Sequence, residues 1–323
     1  MKAMVLSRLG DLRKDRGPLD LTDLAKPVAR GREILLRVLA CGVCHTELDE
    51  IEGRTPPPRL PVVLGHQVVG VVERVGGKVT KYKPGDRAGV GWIYWACGKC
   101  RFCREGRENL CADFLATGRD ADGGYAEFMK IDESYAFPVP RVFSDSEAAP
   151  LLCAGAIGYR SLRLAGITNG EPLGLTGFGA SAHLVLKMAR HRYPDTEVYV
   201  FARNPREREF ATELGAAWAG DTEERSPRKL RSIIDTRLVI NAIRKEDADK
   251  DYLLKLDYAD HLWCEKEIKS VANVARVDIR EFLELAAAIP IKPEVKEYAL
   301  EDANDALLEL KGGKVRGAKV LRL

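Results

Sequence analysis

PLGLTGFGASAHLVLKMARHRYPDTEVYVFARN, residues 172–204, sets a short apolar strand, a glycine-rich turn, a helix and a second apolar strand in direct succession. Apolar residues at strand spacing before Gly177 give way to helical spacing after it, so the stretch predicts a βαβ unit. Gly177-Phe178-Gly179-Ala180-Ser181-Ala182 follows a strand and opens a helix. Backbone N–H groups at such a helix start can hold a pyrophosphate, although the last glycine of GxGxxG is Ala182 here and a plain tight turn would use the same residues. At the end of the next strand, Ala202-Arg203-Asn204 stands where a carboxylate would bond a ribose 2′-OH. A cation there suits a 2′-phosphate and favours NADP(H), unless Arg203 is a solvated loop charge.

Downstream, the alternation continues through a helix in REREFATELGAA, strands in RSIID (231–235), LVINAI (238–243) and EIKSVAN (267–273), and a helix in VDIREFLELAAA (277–288). This is the pattern of a doubly wound parallel sheet. One junction breaks it: the strands ending at Thr236 and beginning at Arg237 have nothing between them, whereas parallel neighbours need a crossover of about a dozen residues or more. Either one bent strand runs through, or a crossover segment is missing there, and an intact mass above that of 323 residues would reveal a stretch the sequence does not show.

Upstream, EILLRVLAC (33–41), VVGVVERVG (68–76), DRAGVGW (86–92) and YAEFMKI (125–131) are short strand patterns punctuated by turns such as Lys83-Pro84-Gly85-Asp86, which predicts a small β-barrel-like unit or a sandwich. Helical spacing sets in over SDSEAAPLLCAGAIGYRSLRLAG (144–166).

Cysteines carry the chemistry. Cys97, Cys100, Cys103 and Cys111 in CGKCRFCREGRENLC have the spacing to wrap one tetrahedral ion, and an all-thiolate shell leaves no position for substrate, so zinc bound there is structural. A disulfide pair or redox thiols are the alternative. A reacting zinc needs three ligands and an open position, and Cys44, His66 and Cys153 from three separate segments supply two thiolates and an imidazole. Cys41 and Cys264 are expected in the core.

The formal charge of +3 is spread without a basic block, which excludes nucleic acid and anionic membrane surfaces as expected partners. MKAMVLSRLG is too short in its apolar stretch for a signal segment, and no run approaches the roughly 20 apolar residues of a membrane span, so a cytoplasmic protein acting on small molecules is expected. Charged residues make up 31%, and Gln67 is the single glutamine, a composition that fits a thermophile's avoidance of labile amides.

With these residues assembled, the chain resembles the zinc-dependent alcohol dehydrogenases of the medium-chain dehydrogenase/reductase superfamily over nearly its whole length. The resemblance implies an α/β protein in which a GroES-like β-rich catalytic domain (1–153 and 278–323, with a structural-zinc lobe at about 95–113) flanks a Rossmann doubly wound coenzyme domain (154–277). It implies two zinc ions per subunit, NAD(H) or NADP(H), and a homodimer or homotetramer that interconverts an alcohol with an aldehyde or ketone. By the same resemblance, Thr46 relays the alcohol proton, His45 faces the coenzyme pyrophosphate, Glu47 orients the metal-binding imidazole, and Trp92 and Ile93 wall the substrate pocket, although core packing would explain the last two equally. Gly177, Gly179, Ala180, Ser181, Ala202 and Arg203 are the expected coenzyme contacts.

Several positions depart from the family pattern. Gln67 replaces a Glu, Asp49 a relay His, Ile157 a Thr beside the nicotinamide, and Ala318 an Arg at the pyrophosphate. A cinnamyl-alcohol-type or polyol dehydrogenase, or a zinc-stabilised binding protein without turnover, would share these ligands.

Overall fold

The computed structural model describes residues 1–235, 269–289, 291–313 and 316–323. Strands β1 (Lys2–Leu6), β2 (Leu19–Asp23), β3 (Glu33–Val43), β4 (Val62–Val63), β5 (Val68–Val75), β6 (Arg87–Val90), β7 (Ile93–Trp95), β8 (Leu115–Ala116), β9 (Phe128–Asp132) and β10 (Ala136–Pro138) fill the N-terminal part. β1 lies between β2 and β4, while the larger sheet runs β10-β6-β5-β3 and continues into two C-terminal strands. Register shifts at Leu35/Leu36 and Val38/Ala40 in β3 mark bulges, which bend this long strand so that it also pairs with β9. Its buried apolar run ends at Val43 and delivers Cys44 to the start of helix α1 (His45–Ile51).

A short helix α2 (Arg101–Arg104) sits in the four-cysteine lobe. Ser144 then starts helix α3 (Asp145–Pro150) with a capping box, its side chain accepting from Glu147 N–H and Glu147 answering at Ser144 N–H. Helix α3 runs without a break through a π-helical turn, Leu151–Gly155, into α4 (Ala156–Ala165), which stops at Gly166 in the left-handed conformation.

The parallel sheet comprises β11 (Leu173–Thr176), β12 (Val198–Phe201), β13 (Trp218–Gly220) and β14 (Ser232–Asp235), in spatial order β13-β12-β11-β14. This is the 3-2-1-4 portion of a doubly wound sheet, and its chain reversal lies between β11 and β14. Helices α5 (Ala182–Arg192) and α6 (Pro205–Glu213) follow β11 and β12. The helix Arg276–Ala288 packs on α4 and is tied to it by a buried Arg160–Asp278 ion pair of 2.7 Å. Strands β15 (Val295–Ala299) and β16 (Ala318–Arg322) return to the first sheet, where β16 pairs antiparallel with β3.

The expected strand over 267–273 is not formed in its described part, 269–273, which is irregular. A stretch with polar Lys269, Ser270 and Asn273 has no alternating apolar face to bury, and Asn273 takes a positive φ of 54° that breaks extended backbone. The strand pattern at 125–131 begins instead at Phe128, because Tyr125 and Ala126 turn aside to meet β1. Cys41 is buried in the core as expected. Cys264, the 238–243 strand pattern and the Thr236/Arg237 junction lie outside the described residues.

Candidate active site

Three segments converge on one point: the start of α1, the link between β4 and β5, and the π-helical turn. The ligand atoms of Cys44, His66 and Cys153 all lie within 4.8 Å of one another. His66 Nε2 stands 3.2 Å from Cys153 Sγ and 3.9 Å from Cys44 Sγ. Glu47 fixes this arrangement from behind. Its Oε1 lies 2.6 Å from His66 Nδ1, and its Oε2 accepts from Cys44 N–H at 2.8 Å, closing a capping box on α1. A carboxylate at Nδ1 holds the proton there and leaves Nε2 facing the sulfurs with its lone pair. Burial alone would lower His66, but the Glu47 carboxylate and the Cys44 sulfur outweigh it and raise its pKa well above the usual imidazole value.

Two sulfurs and an imidazole nitrogen in a partly open cluster fit a zinc ion with a free coordination position. Thr46 Oγ1 lies 3.3 Å from Cys44 Sγ, placing a hydroxyl at the rim of the cluster. Trp92 meets the His66 ring edge-on with centroids 5.0 Å apart, so the indole borders the cluster, whereas Ile93 is buried in the core of the β-rich part. Gln67 is buried over Gly42, where a Cβ would come within 2.8 Å of the Gln67 carboxamide carbon. His45 is exposed on the first turn of α1.

In the second cluster, the sulfurs of Cys97, Cys100, Cys103 and Cys111 also lie within 4.8 Å of one another. Cys97 stands 3.5 Å from Cys111 and 3.9 Å from Cys103, far beyond the roughly 2 Å of a disulfide. Backbone N–H groups of Lys99 and Cys100 pull the Cys97 thiol down to about 6, while burial pushes Cys103 up to about 12. Four sulfurs in one shell, none at disulfide distance, fit a closed zinc site.

At the C-terminal end of β11, Gly177 takes φ of 69° and its N–H bonds Phe201 O, which turns the chain sharply toward α5. Beyond Gly179 a Cβ would meet open space. Among the described residues nothing accepts from the N–H groups of Gly179 and Ala180, so this turn presents donors to the crevice. Ser181 Oγ donates instead to Ala154 O, beside Cys153, and thereby ties the glycine turn to the π-helical turn. Ala202 is buried and Arg203 exposed, on the β12–α6 turn.

Sequence reasoning missed three groups here. Arg119 lies over the Trp92 ring at 6.0 Å. Glu207 crosses from α6 to the glycine turn, its Oε2 accepting from Phe178 N–H at 3.0 Å. Glu50 is fully buried, among the described residues neither carboxyl oxygen is hydrogen-bonded, and burial first, then the Glu47 charge, push it well above the usual carboxylate range. Its spacing of three from Glu47 on α1 was the available signal.

A parallel sheet with a glycine turn at its reversal, next to a Cys-His-Cys cluster on a β-rich unit, defines a zinc-type dehydrogenase architecture. Residues 30–141 match the GroES-like domain of alcohol dehydrogenases. The chain is 40% identical to a probable alcohol dehydrogenase, AdhA, of Mycobacterium tuberculosis over 99% of its own length and 97% of that protein's. It is 31% identical, over the full length of both chains, to an alcohol dehydrogenase of Geobacillus stearothermophilus. Among solved structures, a cinnamyl alcohol dehydrogenase of Sorghum bicolor superposes with a TM-score of 0.86 at 25% identity, covering 99% of this chain and 97% of that one. The alcohol dehydrogenase of Aeropyrum pernix superposes with a TM-score of 0.86 at 24% identity over all of both chains. The chain belongs to the zinc-type medium-chain alcohol dehydrogenases. It is an oxidoreductase acting on alcohols.

Proposed function

We propose that this protein oxidises a primary or secondary alcohol reversibly, with NAD(P)⁺ taking up a hydride and one proton leaving to solvent, and that Cys44, His66 and Cys153 hold the reacting metal. The observation that carries the assignment is the convergence of those three donor atoms within 4.8 Å with the Thr46 hydroxyl beside them. Bound there, zinc would supply a Lewis acid for the substrate oxygen and the nicotinamide a hydride acceptor.

The chain's own residues do the rest. Thr46 Oγ1 accepts the substrate hydroxyl proton and, being itself a donor, passes one onward. Glu47 keeps the His66 ring fixed, holds the proton on Nδ1 and makes Nε2 a stronger donor toward a metal. Trp92 closes one side of the pocket, excludes water and limits substrate bulk. Cys97, Cys100, Cys103 and Cys111 would hold a second zinc that only braces the lobe. Backbone donors of the Gly177–Ala182 turn would receive the pyrophosphate with His45 nearby, and Arg203 would favour NADP(H).

In the proposed organisation, 1–153 and 278–323 form the catalytic domain and 154–277 the coenzyme domain, with subunits pairing as dimers or tetramers. A cinnamyl-alcohol-type preference is favoured by the similarity to the Sorghum enzyme. Steady-state rates with both coenzymes on ethanol, a secondary alcohol, benzyl alcohol and cinnamyl alcohol test the assignment. Turnover of any of them should fall about 100-fold or more in Thr46→Val with coenzyme binding unchanged. Full activity in that variant removes Thr46 from the proton path, and no turnover of any alcohol refutes the assignment.

A further inference from the structure

We infer that Glu207 opposes Arg203 in coenzyme selection: its carboxylate stands at the adenosine end of the coenzyme crevice, where it accepts from a ribose hydroxyl and repels a 2′-phosphate. Glu207 occupies the third position of α6, where a glutamate commonly bends back to cap its own helix. Here that task is not its own. Asn204 is the cap, its side chain accepting from Arg206 N–H at 3.0 Å. The Glu207 carboxylate reaches out of the helix to Phe178 N–H, 29 residues earlier, inside the glycine turn after β11.

The arginine that follows it in α6 does not pair with it. Arg208 is taken up by Asp221 at 2.9 Å and by the carbonyls of Ala202 and Arg203, and among the described residues no ion pair involves Glu207. A half-buried carboxylate bonded to a single backbone donor keeps acceptor capacity for a further hydroxyl. It sits between the β11 and β12 ends, in the crevice where a doubly wound sheet receives the adenosine ribose. The 202–204 turn lacks the acidic residue that usually reads this ribose. Glu207 restores one from the neighbouring helix, a placement visible only once the helix is built. The chain thus brings a cation and an anion to the same ribose, and their opposition keeps discrimination between NADP(H) and NAD(H) small.

This inference rests on the dehydrogenase assignment and on the Gly177–Ala182 turn as the coenzyme site, so its test reads binding rather than turnover. Dissociation constants for NADH and NADPH, and for ADP-ribose with and without a 2′-phosphate, are measured by fluorescence and calorimetry on the intact wild type, Glu207→Gln, Glu207→Asp and Arg203→Leu. Glu207→Gln should tighten the 2′-phosphorylated ligands by about tenfold, the size of one partly screened like-charge contact, and weaken the others. Glu207→Asp keeps the charge and should stay within about threefold of the wild-type ratio. Equal effects of Glu207→Gln on both ligand classes overturn the proposal. If Glu207→Gln does not fold, a shifted ratio in Glu207→Asp as large as that in Arg203→Leu overturns it equally. An Arg203→Leu variant with unchanged NADPH affinity would remove the role given to Arg203 while leaving that of Glu207 standing. No binding of either coenzyme by the wild type would sink the functional assignment itself.

Discussion

Glu47→Gln separates a metal-site role from a purely architectural one. In the native chain one carboxylate serves two donors, His66 Nδ1–H at 2.6 Å and Cys44 N–H at 2.8 Å, and no water reaches it, since its side chain is 0% exposed. A carboxamide of the same shape offers one oxygen, so one of the two donors must then face an NH₂ group. Losing a charge-assisted hydrogen bond in a buried site costs roughly 1.5–3 kcal/mol, and loss of the cap on α1 adds about 1 kcal/mol. The His66 ring also loses the partner that fixes its tautomer, a change that lowers metal affinity by about 10- to 100-fold, or roughly 1.4–2.7 kcal/mol. Competition with a chromogenic zinc chelator should therefore release one zinc per chain from Glu47→Gln at about 10- to 100-fold lower chelator strength, with the four-cysteine ion retained. Thermal unfolding of the same samples reports the helix contribution. A lowered unfolding temperature with wild-type zinc affinity would refute the reasoning, because Glu47 would then act only as a helix cap.

Replacing one thiolate of the second cluster, Cys100→Ser, should remove one zinc by elemental analysis and lower the unfolding temperature, since a structural zinc contributes folding free energy directly. Unchanged metal content would refute that site. His183 is buried in α5 with its Nδ1–H on Gly179 O at 3.0 Å, and burial lowers its pKa to about 4 from 6.5. Unfolding lets this imidazole take up a proton, so its neutral form stabilises the fold fully above pH 6.5 and that contribution is lost as pH falls toward 4, an amount of about 3 kcal/mol at most. His183→Leu should flatten the unfolding temperature over this pH window; an unchanged slope would mean that other groups govern acid sensitivity.

Legibility followed chemistry more closely than geometry. The two clusters of candidate ligands were readable because soft thiolates and imidazoles in short motifs have few other uses, and the spacings of Cys97, Cys100, Cys103 and Cys111 already imply one lobe. The glycine turn was readable because Gly177 needs its positive φ. Strand β15 (VKEYA) was not, since it is half polar and owes its extension to pairing with β16 across the C-terminal connection. The three-residue β13, with its Gly220 at the end, is too short to leave a periodic trace. Glu50 and Glu207 look like ordinary solvated helix charges in one dimension. Only the packing of α1 in the core and of α6 against the β11 turn takes them out of open solvent.

The π-helical turn at Leu151–Gly155 has a consequence for how this part of the molecule can change by mutation. A π turn holds one residue more than an α turn would over the same rise, and Cys153 is at its centre. Deleting one residue between Pro150 and Ala156 would let the turn relax into regular α-helix over the same rise, so that α3 and α4 keep their places while the residues inside the turn shift by up to about 100°. A Cys153 thiol shifted in this way would swing away from His66. The residue count of this turn therefore matters as much as its composition, in which a Cβ on Gly155 would already collide with Phe282, and losing one residue other than Cys153 would pull the proposed ligand set apart while leaving every member of it in the sequence.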